Sequence, residues 1–520
     1  MANAGYSVVG GHMNRSKAIL FLPVLLLAAL ALAGCSGPKT GTMCISNCGG
    51  NGTVAVTMVA DTLPANPALL TFQVTIASIT FTPASGTATT VNLNPALTVD
   101  LMRLQADTVF LGAFANIPAA QYNSATLTLS GSANITFLND TTNTTISGCP
   151  PATICPLSVA ASSNPVATVS FTVSPNGVTG IGIDLNFANA VSISGNTLAV
   201  NFNNNNVLSG FTLPRQGSNL FSNQLDLLED FTGIVSLSAN TVTITSPSRG
   251  TLTATATSNT NFDANPDPTK PLCPAGTSSL SACVSAKQVA SVDAVLNSDG
   301  TLSIQEIEPL LPSQQDIVEG LVATINQNNQ TQFVIIVTDK PSTASPGSLI
   351  GSLNIGDGLT VNIPNPNLFL VDTKGLSVGS IAPGTLSFFA GATTTGALHP
   401  GQIVAVHVST FTAASGIIIA SCNADTVILR WSRLTATPSV VGTQTLGATS
   451  LPTYFASTSG NIGVQLFQGA QGQKGVTSFD GIPDGSFLNT AKPASFRALF
   501  IEDPSNSVNF PFFAAKVRQH

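Results

Sequence analysis

The scarcity of charge is the feature that most constrains how this chain can fold. Of its 520 residues, 17 are basic and 24 are acidic, which together make 8% of the chain, whereas soluble domains typically carry about 25%. Helical bundles and coiled coils need Glu, Lys and Arg on their exposed faces, so this composition excludes them. Nucleic-acid binding depends on clustered Lys and Arg and is not expected either. Hydrophobic residues reach 43%, which is enough for a sizeable core.

Hydrophobic residues alternate with Thr, Ser and Asn along much of the chain, and this period of two predicts β-strands. The segments 72–81, 125–129 and 181–187 show it clearly. In the first of them the phase slips at Ala77-Ser78, which predicts a β-bulge. Asn, Gly and Pro separate these segments, as is typical of an antiparallel β-sandwich. We predict an all-β fold that begins with such a sandwich over residues 53–215.

An export signal of the lipoprotein type lies near the start of the chain. Arg15 and Lys17 precede an apolar stretch over residues 18–33, which is short for a membrane span of about 20 residues. Basic, apolar and small residues in this order are typical of a secretion signal. The stretch ends in Leu32-Ala33-Gly34-Cys35, which resembles the lipobox of bacterial lipoproteins. This resemblance implies cleavage before Cys35 and attachment of lipid to its thiol.

The signal also predicts where the mature protein is located. We expect a signal peptide over residues 1–34, a flexible tether over 35–52, and contact with the membrane only through the N-terminal lipid. The expected location is the bacterial cell envelope, facing the periplasm or the surface. Ser36 follows Cys35 where lipoproteins of the inner membrane often have Asp, which favours the outer membrane. An ordinary signal peptide with an incidental cysteine is the alternative.

Seven cysteines follow Cys35 and would meet an oxidising compartment after export. Six of them lie in pairs that are close in sequence, and each pair could close a small loop, although sequence does not fix disulfide connectivity. The pairs are Cys44 with Cys48, Cys149 with Cys155, and Cys273 with Cys283. Cys422 is left over in an apolar segment, which predicts a buried, inert thiol.

A looser repeat follows the sandwich. Three segments place a glycine near the start of a predicted strand, where it suits a sharp corner of a small barrel. These glycines are Gly233, Gly320 and Gly442. We predict a connector over 216–230, with a short helix at 220–228, and then three β-barrel modules. The predicted modules are 231–312, 313–436 and 437–520. Chance similarity among Thr- and Val-rich strands is the alternative explanation of the repeat.

Part of the predicted sandwich resembles an uncharacterised N-terminal domain of bacterial lipoproteins. The resemblance rests on the strand 72–81, the step Val99-Asp100-Leu101, and the turn Ile117–Tyr122 before the strand 125–129. Ala120 stands where that family usually has Gly. The resemblance implies an Ig- or transthyretin-like sandwich and no known reaction. The three modules are similar to small OB-like β-barrels of uncharacterised bacterial envelope proteins, the first module most closely.

The sequence contains no complete catalytic constellation. Gly375-Leu-Ser377-Val-Gly379 matches the G-x-S-x-G pattern of a hydrolase nucleophile, but no acid lies between Ser377 and either His399 or His407. We interpret the motif as a glycine-rich turn followed by a strand at 386–389. We predict no metal and no other cofactor, because His, Cys and carboxylates are not clustered with the spacing of ligands.

Two further candidate sites have simpler explanations. The segment Val295–Gly300 partly matches a calcium-binding loop, but Val295 replaces its first Asp, so we predict a hairpin turn. Trp431 is the candidate ligand contact, and it lies between Arg430 and Arg433. It would act either as an exposed surface that stacks on a ligand or as a buried part of the core.

These observations predict a non-enzymatic, lipid-anchored envelope protein. Its sandwich and barrels would form a rod that serves in binding, adhesion or scaffolding, with an envelope protein or a glycan as partner. One alternative is a carbohydrate-binding surface lipoprotein that uses Trp431. Another is a hydrolase, whose sign would be a cleft that holds two acids, or an exposed serine near His399.

Overall fold

The computed structural model shows an almost entirely β-structured chain, which confirms the all-β class. It describes residues 50–61, 68–217, 220–263, 271–326, 328–364, 368–441, 445–449, 451–452, 454–455, 463–469, 475–503 and 511–519. Within these ranges the helices are short, and none of them has the length and apolarity that crossing a membrane requires.

The N-terminal domain is one curled sheet of nine strands in the order β3-β2-β5-β7-β11-β8-β1-β4, with β6 paired to β5. Its strands are β1 (Asn51–Asp61), β2 (Ala68–Pro83), β3 (Thr89–Asp100), β4 (Val109–Pro118), β5 (Gln121–Asn139), β6 (Thr153–Ala160), β7 (Val166–Thr172), β8 (Val178–Asn186) and β11 (Leu208–Thr212). A 3₁₀ turn (Arg103–Gln105) follows β3, and α1 (Phe187–Ala190) leads into the hairpin β9 (Val191–Ser194) and β10 (Thr197–Val200). The domain differs from the predicted antiparallel sandwich in two respects: its strands form one continuous sheet, and β1 pairs with β8, and β7 with β11, in parallel. We keep the word sandwich only as the name of this domain.

The period of two in the sequence builds this sheet as predicted. Along β7, Ala167, Val169 and Phe171 are buried while the residues between them are exposed, as expected of a strand with one face on the core. The β2 register shifts between Ile76 and Ser78, which confirms the predicted bulge. The turn before β5 is closed by Tyr122, whose hydroxyl donates a hydrogen bond of 2.8 Å to the Pro118 carbonyl.

Three small barrels follow, and they share one strand order. Each barrel is a ring of five strands in which the first three strands are followed around the ring by the fifth and then the fourth, and the fourth closes the ring on the first. The third and fifth strands pair in parallel. Barrel 1 consists of β12 (Gln224–Ser238), β13 (Thr241–Ser246), β14 (Gly250–Phe262), β15 (Val289–Asn297) and β16 (Leu302–Leu311), with α2 (Leu280–Cys283) before β15. The common order confirms that the repeat is structural.

Barrels 2 and 3 each add one strand to this plan. Barrel 2 consists of β17 (Ile317–Ile325), β18 (Gln332–Ser342), β19 (Gly358–Asn362), β21 (Ile403–Thr412) and β22 (Ala420–Arg430), with β20 (Leu368–Val371) added beside β22. Its connections contain α3 (Val378–Ile381), α4 (Pro383–Ala390) and a 3₁₀ turn (Thr395–Ala397). Barrel 3 consists of β23 (Ser432–Val441), β24 (Thr445–Thr449), β25 (Gly463–Leu466), β27 (Ala494–Phe500) and β28 (Phe512–Arg518), with β26 (Ser478–Asp480) beside β28 and a 3₁₀ turn (Gly485–Phe487) before β27.

Three local predictions are wrong. The helix expected at 220–228 is absent, because β12 begins at Gln224. The strand expected at 386–389 lies in helix α4, which starts with Pro383 at its first turn, a position that favours proline. The third module begins earlier than expected, because β23 starts at Ser432.

The barrel glycines are required by close backbone contacts. A Cβ atom on Gly233 would lie 2.4 Å from the Thr245 carbonyl oxygen, and one on Gly320 would lie 2.7 Å from the Ile336 carbonyl oxygen. These distances leave no room for a side chain. Gly233 lies within β12 rather than near its start, so its requirement is close backbone packing, and the predicted corner role stays a prediction. Gly442 lies outside the described residues.

Two of the three expected disulfides are present, Cys149–Cys155 and Cys273–Cys283. The pair Cys44 and Cys48 lies outside the described residues, as does Cys35. Cys422 is buried and free, as predicted. Burial raises the pKa of its thiol to about 12, so the thiolate that would react is strongly disfavoured.

Candidate functional site

The charged side chains that are scarce in the sequence are concentrated where the sandwich and the three barrels meet. Twelve of them form what we call the buried charge network, and every side chain in it is at most 16% exposed. Its bases are Arg103, Arg249, Lys374, Arg430, Arg433 and Arg497, and its acids are Asp107, Asp230, Asp293, Glu319, Asp339 and Asp372. The formal charges balance, as burial of so many ions requires.

All four domains contribute to this network. Arg103, in the turn after β3 of the sandwich, pairs with Glu319 of barrel 2 at 3.2 Å and with Asp230 of barrel 1 at 3.7 Å. Asp107 of the sandwich accepts a hydrogen bond of 2.6 Å from Arg433 of barrel 3. The predicted rod, in which only successive domains would touch, is therefore wrong, because the sandwich contacts every barrel.

Asp230 lies at the centre of the network and is fully buried. It occupies the bulge of β12 with a φ of +59°, and it pairs with Arg430 and with Arg433, the latter at 2.8 Å. Three further bases, Lys374, Arg103 and Arg497, lie 3.6 to 3.8 Å away. Desolvation opposes its charge, but the surrounding cations outweigh it and hold the pKa of Asp230 well below the ordinary value.

Trp431 has no exposed surface and lies in a cluster of buried hydrophobic side chains that borders the network. The Arg497 guanidinium carbon lies 5.3 Å from the centre of its ring, a distance at which a cation is attracted to the aromatic face. The structure therefore favours the buried alternative for Trp431 over an exposed stacking surface. Its neighbours Arg430 and Arg433 are held in place on the ends of β22 and β23.

A second ionic group borders the network and also balances. Lys516, Arg518 and Arg215 face Glu229, Asp480 and Asp184. The Lys516 ammonium lies 2.8 Å from the Glu229 carboxylate. Even so, burial outweighs this partner and raises the pKa of Glu229 to about 7.

Two glutamates on β16 extend the acidic side of the site. Burial, followed by the nearby Asp293, raises the pKa of Glu306 well above its ordinary value. Burial and Asp372 do the same for Glu308. Both carboxyls are therefore biased towards the protonated, uncharged form. One oxygen of Glu306, Oε1, is buried without a hydrogen-bond partner among the described residues.

A cavity of about 660 Å³ opens beside the network, between parts of all three barrels. Its charged lining residues are Glu229, Asp293, Asp299, Glu306, Lys374 and Arg497. Most of the remaining wall is neutral and polar, and it includes Asn223, Gln224, Ser258, Asn259, Asn297, Ser298, Ser303 and Gln305. Phe221 lies in the wall with 45% of its surface exposed. Cavities of this size are typical of small-molecule sites.

The candidate residues of the hydrolase motif are not assembled. Ser377 directly precedes helix α3, and a loop rather than a strand leads into it. His399 lies 3.7 Å from Glu502, and His407 shares a hydrogen bond of 2.7 Å with Asp425. In the part of the chain that the structure describes, neither histidine forms a hydrogen bond with Ser377.

The calcium-like segment is the predicted hairpin turn between β15 and β16. The Asp299 carboxylate accepts hydrogen bonds of 2.9 and 2.6 Å from the backbone and the hydroxyl of Thr301, and Gly300 has a φ of +84°. Within the described ranges, no group of three or more His, Cys, Asp or Glu side chains is arranged to hold a metal ion.

Comparison with known proteins supports one part of this architecture. A family model described as a domain of unknown function, DUF4382, matches residues 51–201. This range contains most of the sandwich and about three tenths of the chain, so the sandwich is similar to an uncharacterised domain. Among curated proteins, none matches the chain.

Proposed function

We propose that the protein is a non-enzymatic, lipid-anchored binding protein of the cell envelope, and that its ligand occupies the cavity between the barrels. The cavity itself carries this proposal. A protein that only spaced or scaffolded other molecules would have no need of a polar cavity of about 660 Å³, whereas a binding protein would.

The cavity is held in a fixed shape by the buried charge network. Lys374 and Arg497 line the cavity and also pair with Asp230 and Asp293, at 2.7 to 3.9 Å. A wall that is already ordered loses little entropy on binding, which favours affinity. The network would therefore serve binding by fixing the barrels relative to one another.

Four acids line the cavity, and two of them, Asp293 and Glu306, lie opposite each other on neighbouring strands, which is the sign expected of the hydrolase alternative. The Asp293 carboxylate is already hydrogen-bonded within the protein, however. Its Oδ1 accepts hydrogen bonds from the Lys374 ammonium at 2.7 Å and from the Asp230 backbone N–H at 2.6 Å. These partners disfavour its use as a nucleophile or base. We therefore prefer binding without turnover, and we include turnover as a measured outcome.

Blocking the cavity tests the proposal. Asn259 lines it and is exposed on β14, so Asn259→Trp should fill the opening without disturbing the core. Thr251→Trp places the same side chain on an exposed position of the same strand, away from the cavity lining, and is the matched control. The full chain is screened in detergent by thermal unfolding against fractions of envelope extract, since a ligand that binds only the native state raises Tm.

We expect one fraction to raise Tm of the wild type and of Thr251→Trp but not of Asn259→Trp. No active fraction, or an equal response of all three proteins, would overturn the cavity as the binding site. The active compound is also analysed by mass spectrometry before and after incubation. A change of its mass that requires the protein would overturn the non-enzymatic part of the proposal.

The anchor has a separate test. Cys35→Ser should abolish labelling with radioactive palmitate and release the protein from membranes, because no thiol remains for the lipid at that position. Cys422→Ser is the control and should label like the wild type. Labelling that persists in Cys35→Ser would refute lipid attachment.

A further inference from the structure

We infer that the cavity between the barrels takes an uncharged, polyhydroxylated ligand, a neutral saccharide. This inference rests on the proposed function, because it names the chemical class of the ligand that the binding protein would hold. Four features of the cavity carry it: the balance of its charges, the chemistry of its walls, an unpartnered buried oxygen, and one exposed aromatic ring.

Four of the six charged residues that line the cavity face an opposite charge, and the other two are Glu306, whose raised pKa favours the uncharged form, and Asp299, which is hydrogen-bonded to Thr301 in an exposed turn. Lys374 pairs with Asp293 at 2.7 Å, and Glu229 pairs with Lys516 at 2.8 Å. The Arg497 guanidinium lies within 3.7 to 3.9 Å of three carboxylates. An anionic ligand would meet no lining cation that is free of a nearby acid, so its charge would have to compete with the ion pairs already formed. The balance therefore favours a neutral ligand.

The neutral part of the wall offers both donors and acceptors. Side-chain amides such as those of Asn223, Asn259 and Gln305 present an N–H donor and a carbonyl acceptor, and the serines present hydroxyls. A sugar hydroxyl also donates and accepts. A wall of this composition can therefore form hydrogen bonds with a series of hydroxyl groups. An apolar ligand would leave the polar groups of the wall unpaired.

Glu306 supplies an unpartnered polar group inside the cavity. It lies opposite Asp293 on the neighbouring strand, and its Oε1 is buried with no hydrogen-bond partner among the described residues. A buried polar atom without a partner is unfavourable. A hydroxyl group of a bound ligand would satisfy it, and the carboxyl in its protonated form could also donate.

Phe221 gives the cavity an apolar surface at its edge. Its ring is 45% exposed and borders the polar residues of the wall. The C–H face of a sugar ring packs on such a ring, while its hydroxyls point to the polar wall. Polar groups around one exposed aromatic ring thus match both faces of a saccharide.

Calorimetric titration of the full chain in detergent tests the inference. The probes are neutral tetrasaccharides with β-1,4-glucose, β-1,4-N-acetylglucosamine, α-1,4-glucose and β-1,4-xylose linkages, and tetragalacturonate serves as a charged comparison. We expect at least one neutral probe to bind, and tetragalacturonate to bind at least tenfold more weakly. Absence of binding by every neutral probe, or equal binding of tetragalacturonate, would overturn the inference.

Variants of Glu306 separate its hydrogen-bonding role from its charge. Glu306→Gln keeps a donor and an acceptor and should bind within about threefold of the wild type, whereas Glu306→Ala should weaken binding about tenfold. Phe221→Ala should also weaken binding, and Phe487→Ala, which removes a ring that is 60% exposed elsewhere, should not. Unchanged fluorescence of the buried Trp431 confirms that each variant is folded.

The outcomes distinguish this inference from the proposed function. If an envelope fraction still depends on an open cavity but no neutral tetrasaccharide binds, the ligand class is wrong and the binding function stands. If Glu306→Ala binds as tightly as the wild type, the assignment of Glu306 is wrong. If a probe binds and is then cleaved, the ligand class stands and the non-enzymatic proposal falls.

Discussion

Replacing Asp230 with Asn should destabilise the protein more than almost any other change that preserves the size of the side chain. Asp230 has no exposed surface, and five bases surround it. Asn fits the same space and keeps one acceptor oxygen, but it removes the negative charge. The network then holds one positive charge in excess.

The expected cost follows from the loss of one partner of a buried ion pair, which is about 3–5 kcal/mol. We expect the upper part of this range, because Arg430 and Arg433 are both bonded directly to the Asp230 carboxylate. Asp299→Asn is the matched control. That carboxylate lies in an exposed turn, so the same substitution should cost less than about 1 kcal/mol.

Unfolding in urea, followed by tryptophan fluorescence, provides the assay. The chain has one Trp, and the network residue Arg497 lies over its ring, so its emission reports on this region. Adding Arg430→Gln to Asp230→Asn restores charge balance, and the double variant should lose less stability than the two single losses added together. A loss below about 1 kcal/mol for Asp230→Asn, or strict additivity in the double variant, would refute the role given to charge balance.

Three further predictions test other parts of the structure. The pKa of Glu229 is raised from 4.5 to about 7, so its contribution to stability is complete below pH 4.5 and is lost as the pH rises through 7, a difference of about 3 kcal/mol. Glu229→Gln should therefore flatten the dependence of the urea midpoint on pH. Parallel curves for the variant and the wild type would contradict this. Cys422 is 2% exposed and the pKa of its thiol is about 12, so mass spectrometry should find it modified by a thiol reagent at pH 8 only after unfolding; modification of the native protein would refute its burial. Gly233→Ala should cost about 1–3 kcal/mol of stability, because the new Cβ would lie 2.4 Å from a carbonyl oxygen. Gly384→Ala in helix α4 is the control: a Cβ there has no atom within 4 Å, so the change should be neutral or stabilising. Equal effects of the two changes in thermal unfolding would contradict the close contact at Gly233.

Local patterns in the sequence were sufficient to predict the strands. The alternation in 72–81 appears in the burial of β2, which has one face on the core. The segment 181–187 forms β8 up to Asn186, but its residues 180–185 are buried on both faces. The helix α4 was missed because 386–389 contains apolar residues at spacings that suit either structure. Pro383 was the available signal, because proline favours the first turn of a helix.

The buried charge network could not be predicted from local patterns, because its partners are remote in sequence. Arg103 is paired with Asp339, which is 236 residues away. A partial signal was nevertheless present. Glu319 stands in the apolar run Val318–Val322, and a charge on a strand whose neighbours are all hydrophobic must be buried with a partner. The identity of that partner depends on how four domains pack.

The composition also misled the prediction of the site. The small number of charged residues predicted few functional groups for a site, and Trp431, the only tryptophan, was the candidate ligand contact. The cavity instead uses Asn, Gln and Ser, which are so common in this chain that no single one stands out. Its walls come from three barrels, so their proximity could not be seen in the sequence.

The distribution of the network charges among the domains limits how this protein can have evolved. The sandwich contributes one acid and one base, barrel 1 two acids and one base, barrel 2 three acids and two bases, and barrel 3 two bases. The two bases of barrel 3 thus balance the one excess acid of barrel 1 and the one excess acid of barrel 2. The barrels share a strand order, yet recombination could not exchange or delete one of them without leaving an ion unpaired in the interior. Three barrels of one strand order are therefore mutually dependent parts of a single ionic interior.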